Sequence, residues 1–300
     1  MKNIIKTIAF ATAILIAGTT YAQSGSSKVI VVGGKASDSQ SENLTSKSYR
    51  FNELKGIDAG SVFDITVIAD NSGLVTVSAP AKTLEHIIVR EKNGILDLRI
   101  ENGYSFGGNR WPSSSRRLKG PVKVTVGLSA LKYIDLSGAA KLTTKDNFKE
   151  KQCLIDISGA SKVHLAKLSA EKLSIDASGA AELVTSGGSN SIVIDASGAT
   201  KLFLTMSTSK LNADLSGASN VNIKGVSDVT VLDCSGASIF EGEGFITKTA
   251  TVDLSGASKT VIGVNKAISG EVSGASKLIY IGDPDKVILE RSHGASVSRK

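Results

Sequence analysis

The sequence predicts an all-β chain wound as a parallel β-helix, a β-solenoid with about 19–20 residues per turn, and three observations predict it. The motif Ser-Gly-Ala plus a small residue recurs at Ser137, Ser158, Ser178, Ser197, Ser216, Ser235, Ser255 and Ser273. A ninth, altered copy reads Ser292-His293-Gly294-Ala295-Ser296, and successive motif glycines lie 18 to 21 residues apart, 19.5 on average. Two residues before each Ser stands an acid, flanked by alternating apolar residues such as Ile134 and Leu136, Ile155 and Ile157, or Leu232 and Cys234. That alternation is the period of a strand with one buried face. No 3.6-residue period runs through the chain, and the unit is too short for paired helices. The main alternative, a β-propeller, needs roughly 40 residues or more per blade.

In chain order, residues 1–22 read as a secretory signal peptide. Lys2 and Lys6 make the positive start, Ile8 to Ala17 the apolar stretch, and Thr20 and Ala22 the small residues before the cleavage point. The stretch is short for a spanning helix, which leaves an uncleaved anchor as the lesser reading. No Cys follows it to take a lipid. Residues 23–47, rich in Ser, Lys and Gly, read as a flexible leader in which Val29 to Val32 can add a strand. Residues 48–297 read as a single domain. Its first part, 48–130, holds strands at Val62–Val67, Leu74–Val77, Ile95–Ile100 and Val122–Val126, with a hairpin signal at Asn93-Gly94. This part is expected to begin the same solenoid and cover its first turns, because an open end exposes unpaired strand edges. Its second part, 131–297, holds the repeats. There the flanking aliphatic residues point inward, and the acid and Ser point outward. Gly permits a backbone turn that a Cβ resists. The Ala present in all nine copies predicts a corner with room for one methyl group, and a second short strand follows, as in Lys162–Leu165 and Lys201–Leu204.

Composition narrows the function classes. The 300 residues include 8 Phe, 5 Tyr and 1 Trp, so the core must be layered from Val, Ile, Leu and Ala. Three His and two Cys are too few for a zinc finger, a disulfide scaffold or an iron–sulfur site, and no cofactor is expected. Without Lys2 and Lys6, 33 Lys and Arg face 28 acids, a mild balance of +5. No basic block marks a nucleic-acid footprint. After signal cleavage no segment is long and apolar enough to span a membrane. Cys153 and Cys234 lie four windings apart, about 19 Å at the strand spacing, which predicts two free, buried thiols.

The segment Phe51–Ile57, then Phe63–Val67, Val122–Val126, Leu131–Ala139 and the Ser-Gly-Ala repeats together resemble the head GIN domain of autotransporter-type adhesins, exported proteins of Bacteroidota. The resemblance covers roughly residues 48–297. It implies a right-handed β-helix and a role at the cell surface, and it brings no catalytic residues. No room remains after residue 297 for a membrane barrel, so the expectation is that this chain does not anchor or export itself as an autotransporter.

The candidate sites follow. Asp135, Asp156, Asp176, Asp195, Asp214, Asp233 and Asp253, with Glu271 and Glu290, are expected to stack as a ladder. Neighbouring carboxylates there repel by ~1 kcal/mol in water. The favoured reading is structural: each Asp accepts a hydrogen bond from the amide of its own Ser or Gly in an Asx turn. Lys141, Lys162, Lys201, Lys259 and Lys277 are read as a partly compensating row. A calcium stripe is the lesser reading, because one carboxylate per layer supplies few of the six or more oxygens Ca²⁺ takes, and no metal is assigned. Gly138, Gly159, Gly179, Gly198, Gly217, Gly236, Gly256 and Gly274 are read as structural turn glycines. The candidate binding residues are Tyr104, Arg110, Trp111, Arg116 and Arg117, in a Gly-, Ser- and Arg-rich stretch from Asn102 to Gly120. An ordinary loop packed on the helix is the plainer account of them. No nucleophile elbow, metal-ligand pair or phosphate loop occurs. The expectation is an exported, non-catalytic module of the periplasm, outer-membrane surface or extracellular space, contacting a host or envelope glycan or a surface protein. A ligand-free envelope scaffold and a polysaccharide-processing enzyme are the alternatives.

Overall fold

The structure is a computed structural model that describes residues 28–30, 44–106, 116–292 and 294–300. The signal segment, Arg110, Trp111 and His293 lie outside the described residues.

From Tyr133 to Arg299 the chain forms a β-solenoid of about nine turns. Winding follows winding in parallel: Lys141–Ile157, Lys162–Ala177, Glu182–Ala196, Lys201–Leu215, Asn220–Cys234, Ile239–Leu254 and Lys259–Val272 each hydrogen-bond to the next. Inward positions form unbroken columns. One runs Leu136, Ile157, Ala177, Ala196, Leu215, Cys234, Leu254 and Val272, all at most 1% exposed. Alternation within a strand selects the inward set, and the strand spacing of about 4.8 Å lets each side chain touch its counterparts above and below.

Each motif makes a corner. The eight glycines from Gly138 to Gly274 have φ between +66° and +76°. A Cβ on Gly159 would lie 2.6 Å from the Gly138 carbonyl oxygen in the winding before. Both the left-handed backbone and the approach of stacked corners therefore require Gly. The tight methyl-sized position is not the Ala that follows, which is exposed in every full copy. It is the next residue, Ala140, Ser161, Ala181, Thr200, Ser219, Ser238, Ser258 or Ser276, at most 1% exposed. The Ala amide instead ties the corner to its neighbour, as in Ala160 N–H to Gly138 O at 2.6 Å. Two of the buried serines turn their hydroxyls back on the corner, Ser161 to Ser158 O at 2.6 Å and Ser276 to Ser273 O at 2.5 Å, whereas among the described residues the hydroxyls of Ser219, Ser238 and Ser258 meet no hydrogen-bond partner.

The amino-terminal part joins the solenoid out of chain order. On the face carrying the acids, the strands run Ile87–Lys92, Ile95–Ile100, Gly56–Ala59, Tyr133–Leu136 and then the repeats. On the neighbouring face, Lys28–Ile30, Leu44–Arg50, Leu74–Pro80, Val122–Leu128 and Phe63–Ala69 lead to Lys141–Thr144. The pairs furthest from the repeats are antiparallel, so this region is a mixed-sheet cap rather than a run of ordinary first turns. The Asn93-Gly94 hairpin, with both φ positive, makes one of its reversals. The leader expected over 23–47 is not wholly loose: its last residues lie in Leu44–Arg50, which also pairs with Lys28–Ile30.

Candidate functional site

The acid face is built by the register just described. Asp135, Asp156, Asp176, Asp195, Asp214, Asp233, Asp253, Glu271 and Glu290 are direct Cα partners in sequence. The cap extends the file by two rungs absent from the sequence reading, Asp58 and then Asp97. Their signal was faint: Asp58-Ala59-Gly60-Ser61 carries Ser and Gly in swapped order, and Ser61 takes the left-handed backbone at φ +85°.

Among the described residues the Asx turns expected here do not form. The Ser amide of each corner donates instead to the winding before, as from Ser158 to Leu136 O at 2.8 Å and from Ser178 to Ile157 O at 2.9 Å. Stacked windings satisfy these amides by the sheet ladder itself, which leaves the carboxylates turned to solvent. Nor do the lysines compensate the acids. They stack in their own column, Lys141, Lys162, Glu182, Lys201, and Lys162 pairs with Glu182 at 3.4 Å. His164 also meets Glu182, at 2.9 Å, and the two contacts hold the Glu182 carboxyl below its usual range.

Among the described residues compensation comes at one end only. Arg99 reaches Asp58 at 2.5 Å and Asp97 at 3.2 Å. Burial opposes its charge, but the Asp58 hydrogen bond and the carboxylates of Asp58, Asp97 and Asp135 outweigh that and raise its pKa. The Tyr133 hydroxyl donates to Asp135 at 3.0 Å, and its pKa is pushed up to about 12, by burial first and then by that carboxylate. Further along, burial and then the carboxylates on either side raise Asp156 and Asp233. Among the described residues no three His, Cys, Asp or Glu side chains converge as a metal-ligand set. A file of single carboxylates presents charge without a cage.

The cap carries a second cluster. Tyr104–Ser105 pairs in parallel with Arg116–Arg117, bringing the two ends of the intervening stretch together. The Tyr104 ring stacks on His86 with centroids 3.6 Å apart, and His86 Nδ1 lies 2.8 Å from a Glu101 oxygen. Arg116 sits 5.9 Å over the Tyr104 ring and donates to its hydroxyl at 3.1 Å, a bond that raises the guanidinium pKa. The loop base is anchored by buried Leu118 and by Phe106 packed on the core, and the Thr83 hydroxyl donates to Lys119 O at 2.8 Å. Three sequence-derived candidates thus meet here, Tyr104, Arg116 and Arg117. His86 and Glu101 were missed although the Asn93-Gly94 signal marks the hairpin they flank, since a turn signal does not record which side chains meet at the hairpin's open end.

A third feature is a groove of ≈ 720 Å³ along the corner that leads into the acid face, lined from Lys149 through Ser169, Ser189 and Thr208 to Asp228. Ser189, Thr208, Ser227 and Thr247 stack at this corner, each donating its hydroxyl to the carbonyl two residues on, at 2.8 to 3.0 Å. Their shared place, eight residues before the motif Ser, was a legible regularity.

Comparison with known proteins fits this architecture. The chain resembles a "putative adhesin" from Parabacteroides distasonis ATCC 8503 at 16% identity, over 86% of this chain and 97% of that one, with a TM-score of 0.64. A "putative adhesin" from Parabacteroides merdae ATCC 43184 matches at 12% identity, over 86% and 96%, with a TM-score of 0.55. A "putative lipid binding protein" from Parabacteroides distasonis ATCC 8503 matches at 12%, over 86% and 97%, with a TM-score of 0.57. At these identities the likeness concerns the fold. None of the curated proteins searched matches the chain. Residues 53–202 and 188–284 match the family model described as "Putative auto-transporter adhesin, head GIN domain", and the chain belongs to that family.

Proposed function

We propose that the chain is an exported, non-catalytic interaction module of the cell envelope, and that the Tyr104–Arg116–Arg117 end of its cap contacts an anionic group on a glycan or a surface protein. The observation that carries this reading is the pair of exposed arginines fixed at the base of a loop, one of them oriented by Tyr104. Aromatic and Arg side chains on a loop held by a rigid scaffold combine large contact area with directed hydrogen bonds. Arg110 and Trp111 belong to the same Asn102–Gly120 stretch of sequence and enter this reading on sequence alone. Membership of an adhesin-named family supports export and a surface role. The absence of catalysis is inferred from equivalence: each winding offers its carboxylate much the same setting, whereas acid–base chemistry needs two groups with distinct environments.

The test is binding of the mature chain to an array of acidic and neutral glycans and to envelope protein fractions. The reading expects selective retention of acidic targets and about tenfold or greater weakening by Arg116→Ala with Arg117→Ala. Equal binding by wild type and variant would remove the cap cluster from the function. No binding by the wild type would favour the scaffold.

A further inference from the structure

The two ends of the solenoid are finished differently. At the amino-terminal end, antiparallel strands and the one-turn helix Ala81–Leu84 close the core, leaving Leu84 3% and Ile87 8% exposed. At the other end, Lys286–Arg291 pairs only with Lys259–Val272, and its second edge is unpaired among the described residues. Val287 continues an inward column beneath Ile268, yet it is 46% exposed because no winding among the described residues covers it, and neighbouring Ile288 is 51% exposed. Such an edge is a template for another strand.

The sequence of this edge selects the occupant. Asp285-Lys286-Val287-Ile288-Leu289-Glu290-Arg291 is complementary to itself when reversed. Laid antiparallel on a second copy about Ile288, it sets Asp285 against Arg291, Lys286 against Glu290, Val287 against Leu289, and Ile288 against itself. Backbone direction agrees. Ser292 N–H bonds back to Val272 O, so within the strand the residues alternating with it, Glu290 and Ile288, point to the preceding winding. Val287, Leu289 and Arg291 then direct their N–H and C=O groups to the open edge, as a register pairing odd-numbered residues with each other demands. A shift by two residues sets charges against apolar residues, and parallel in-register pairing sets like against like. The ion pairs at this end join Arg299 to Asp283 and Lys300 to Glu243, and among the described residues Asp285, Lys286, Glu290 and Arg291 take part in no ion pair of their own chain. Charged groups commonly blunt an exposed edge. Here their arrangement blocks other pairings and admits this one.

We propose that two copies of the chain join tail to tail through Asp285–Arg291, in an antiparallel, two-fold symmetric pairing centred on Ile288 that continues the sheet from one solenoid into the other. Such a self-complementary patch is the ordinary basis of a closed dimer.

The experiment is sedimentation velocity of the mature chain over a hundredfold concentration range, with charge variants and a cross-linking variant. Wild type is expected to dimerise. Glu290→Lys sets Lys against Lys and is expected to raise the dissociation midpoint about tenfold or more. Lys286→Glu combined with Glu290→Lys restores opposite charges and is expected to restore the dimer. Ile288→Cys falls at a non-hydrogen-bonded pair with Cα atoms about 4.5 Å apart, inside the disulfide range, so mild oxidation is expected to yield a covalent dimer. The native thiols do not compete: burial first pushes both Cys153 and Cys234 up to about 12. A monomer at every concentration, or a dimer that Glu290→Lys leaves intact and Ile288→Cys does not cross-link, would overturn the proposal.

Discussion

Asp233 shows how a single residue is placed by its repeat and then modified by its neighbours. Burial, then Asp214 and Asp253, raise its pKa above the ordinary carboxylate value. The folded chain therefore holds this proton more tightly than the unfolded chain does. Its contribution to stability rises as pH falls through the folded value, and ionisation at neutral pH weakens the fold. Asp70 works the other way, because hydrogen bonds from Ser72 lower its pKa and stabilise the fold above the ordinary value. Asp233→Asn is accordingly expected to stabilise the chain at neutral pH and low salt, by about 1 kcal/mol or less. The advantage should shrink with added salt, which screens the exposed neighbours. It should vanish near pH ~3, where the wild-type carboxyl is also largely protonated. Thermal melting of both proteins across pH and salt measures this; a variant equal to or below wild type at neutral pH would contradict it.

Among the elements, the winding Ile239–Leu254 departs most from the repeat, and the departure has a compact physical cause. Phe240 occupies a column held elsewhere by Leu202 and Val221, and Phe245 fills a second inward position. Both are fully buried, with rings 6.4 Å apart at 78°, an edge-to-face contact. The register slips on both sides of this winding, between Asn222 and Lys224 below and between Gly242 and Ile246 above. Gly242 and Gly244 take up the extra chain length as a bulge. Phe240→Ala leaves a ring-sized void between stacked windings and is expected to cost about 3–5 kcal/mol, read as a lower midpoint in chemical denaturation. A loss below about 1 kcal/mol would mean that the windings collapse around the gap.

This level also shows where the sequence was legible. Spacing and alternation identified the windings, their inward columns and both buried thiols, because identical environments repeat identical residues. The exposed Ala was misjudged, since a residue kept small by a corner and one merely next to it look alike in a repeat. The cap's order was not readable. Ile95–Ile100 pairs with Gly56–Ala59, and Gly56–Ala59 in turn with Tyr133–Leu136, across long stretches of chain, and no local period records which strand neighbours which. The Asx turns were a local solution to a need that stacking meets non-locally.

For the whole molecule, one principle joins these observations. The columns bury apolar surface only if windings lie in register, and the same register brings the carboxylates into file. Arg99 neutralises the capped end of that file, whereas the open end carries the self-complementary edge. The most direct test places nitroxide labels in pairs on the outward acids, with Asp156→Cys as the fixed site and Asp233→Cys, Asp253→Cys or Glu271→Cys as the second. Buried Cys153 and Cys234 stay unlabelled in the folded chain. Pulsed electron resonance at dilution, on chains carrying Glu290→Lys to exclude distances between copies, is expected to give separations of about 19, 24 and 29 Å, an even rise of about 4.8 Å per repeat. Separations that fail to grow with repeat number would contradict the stacked solenoid.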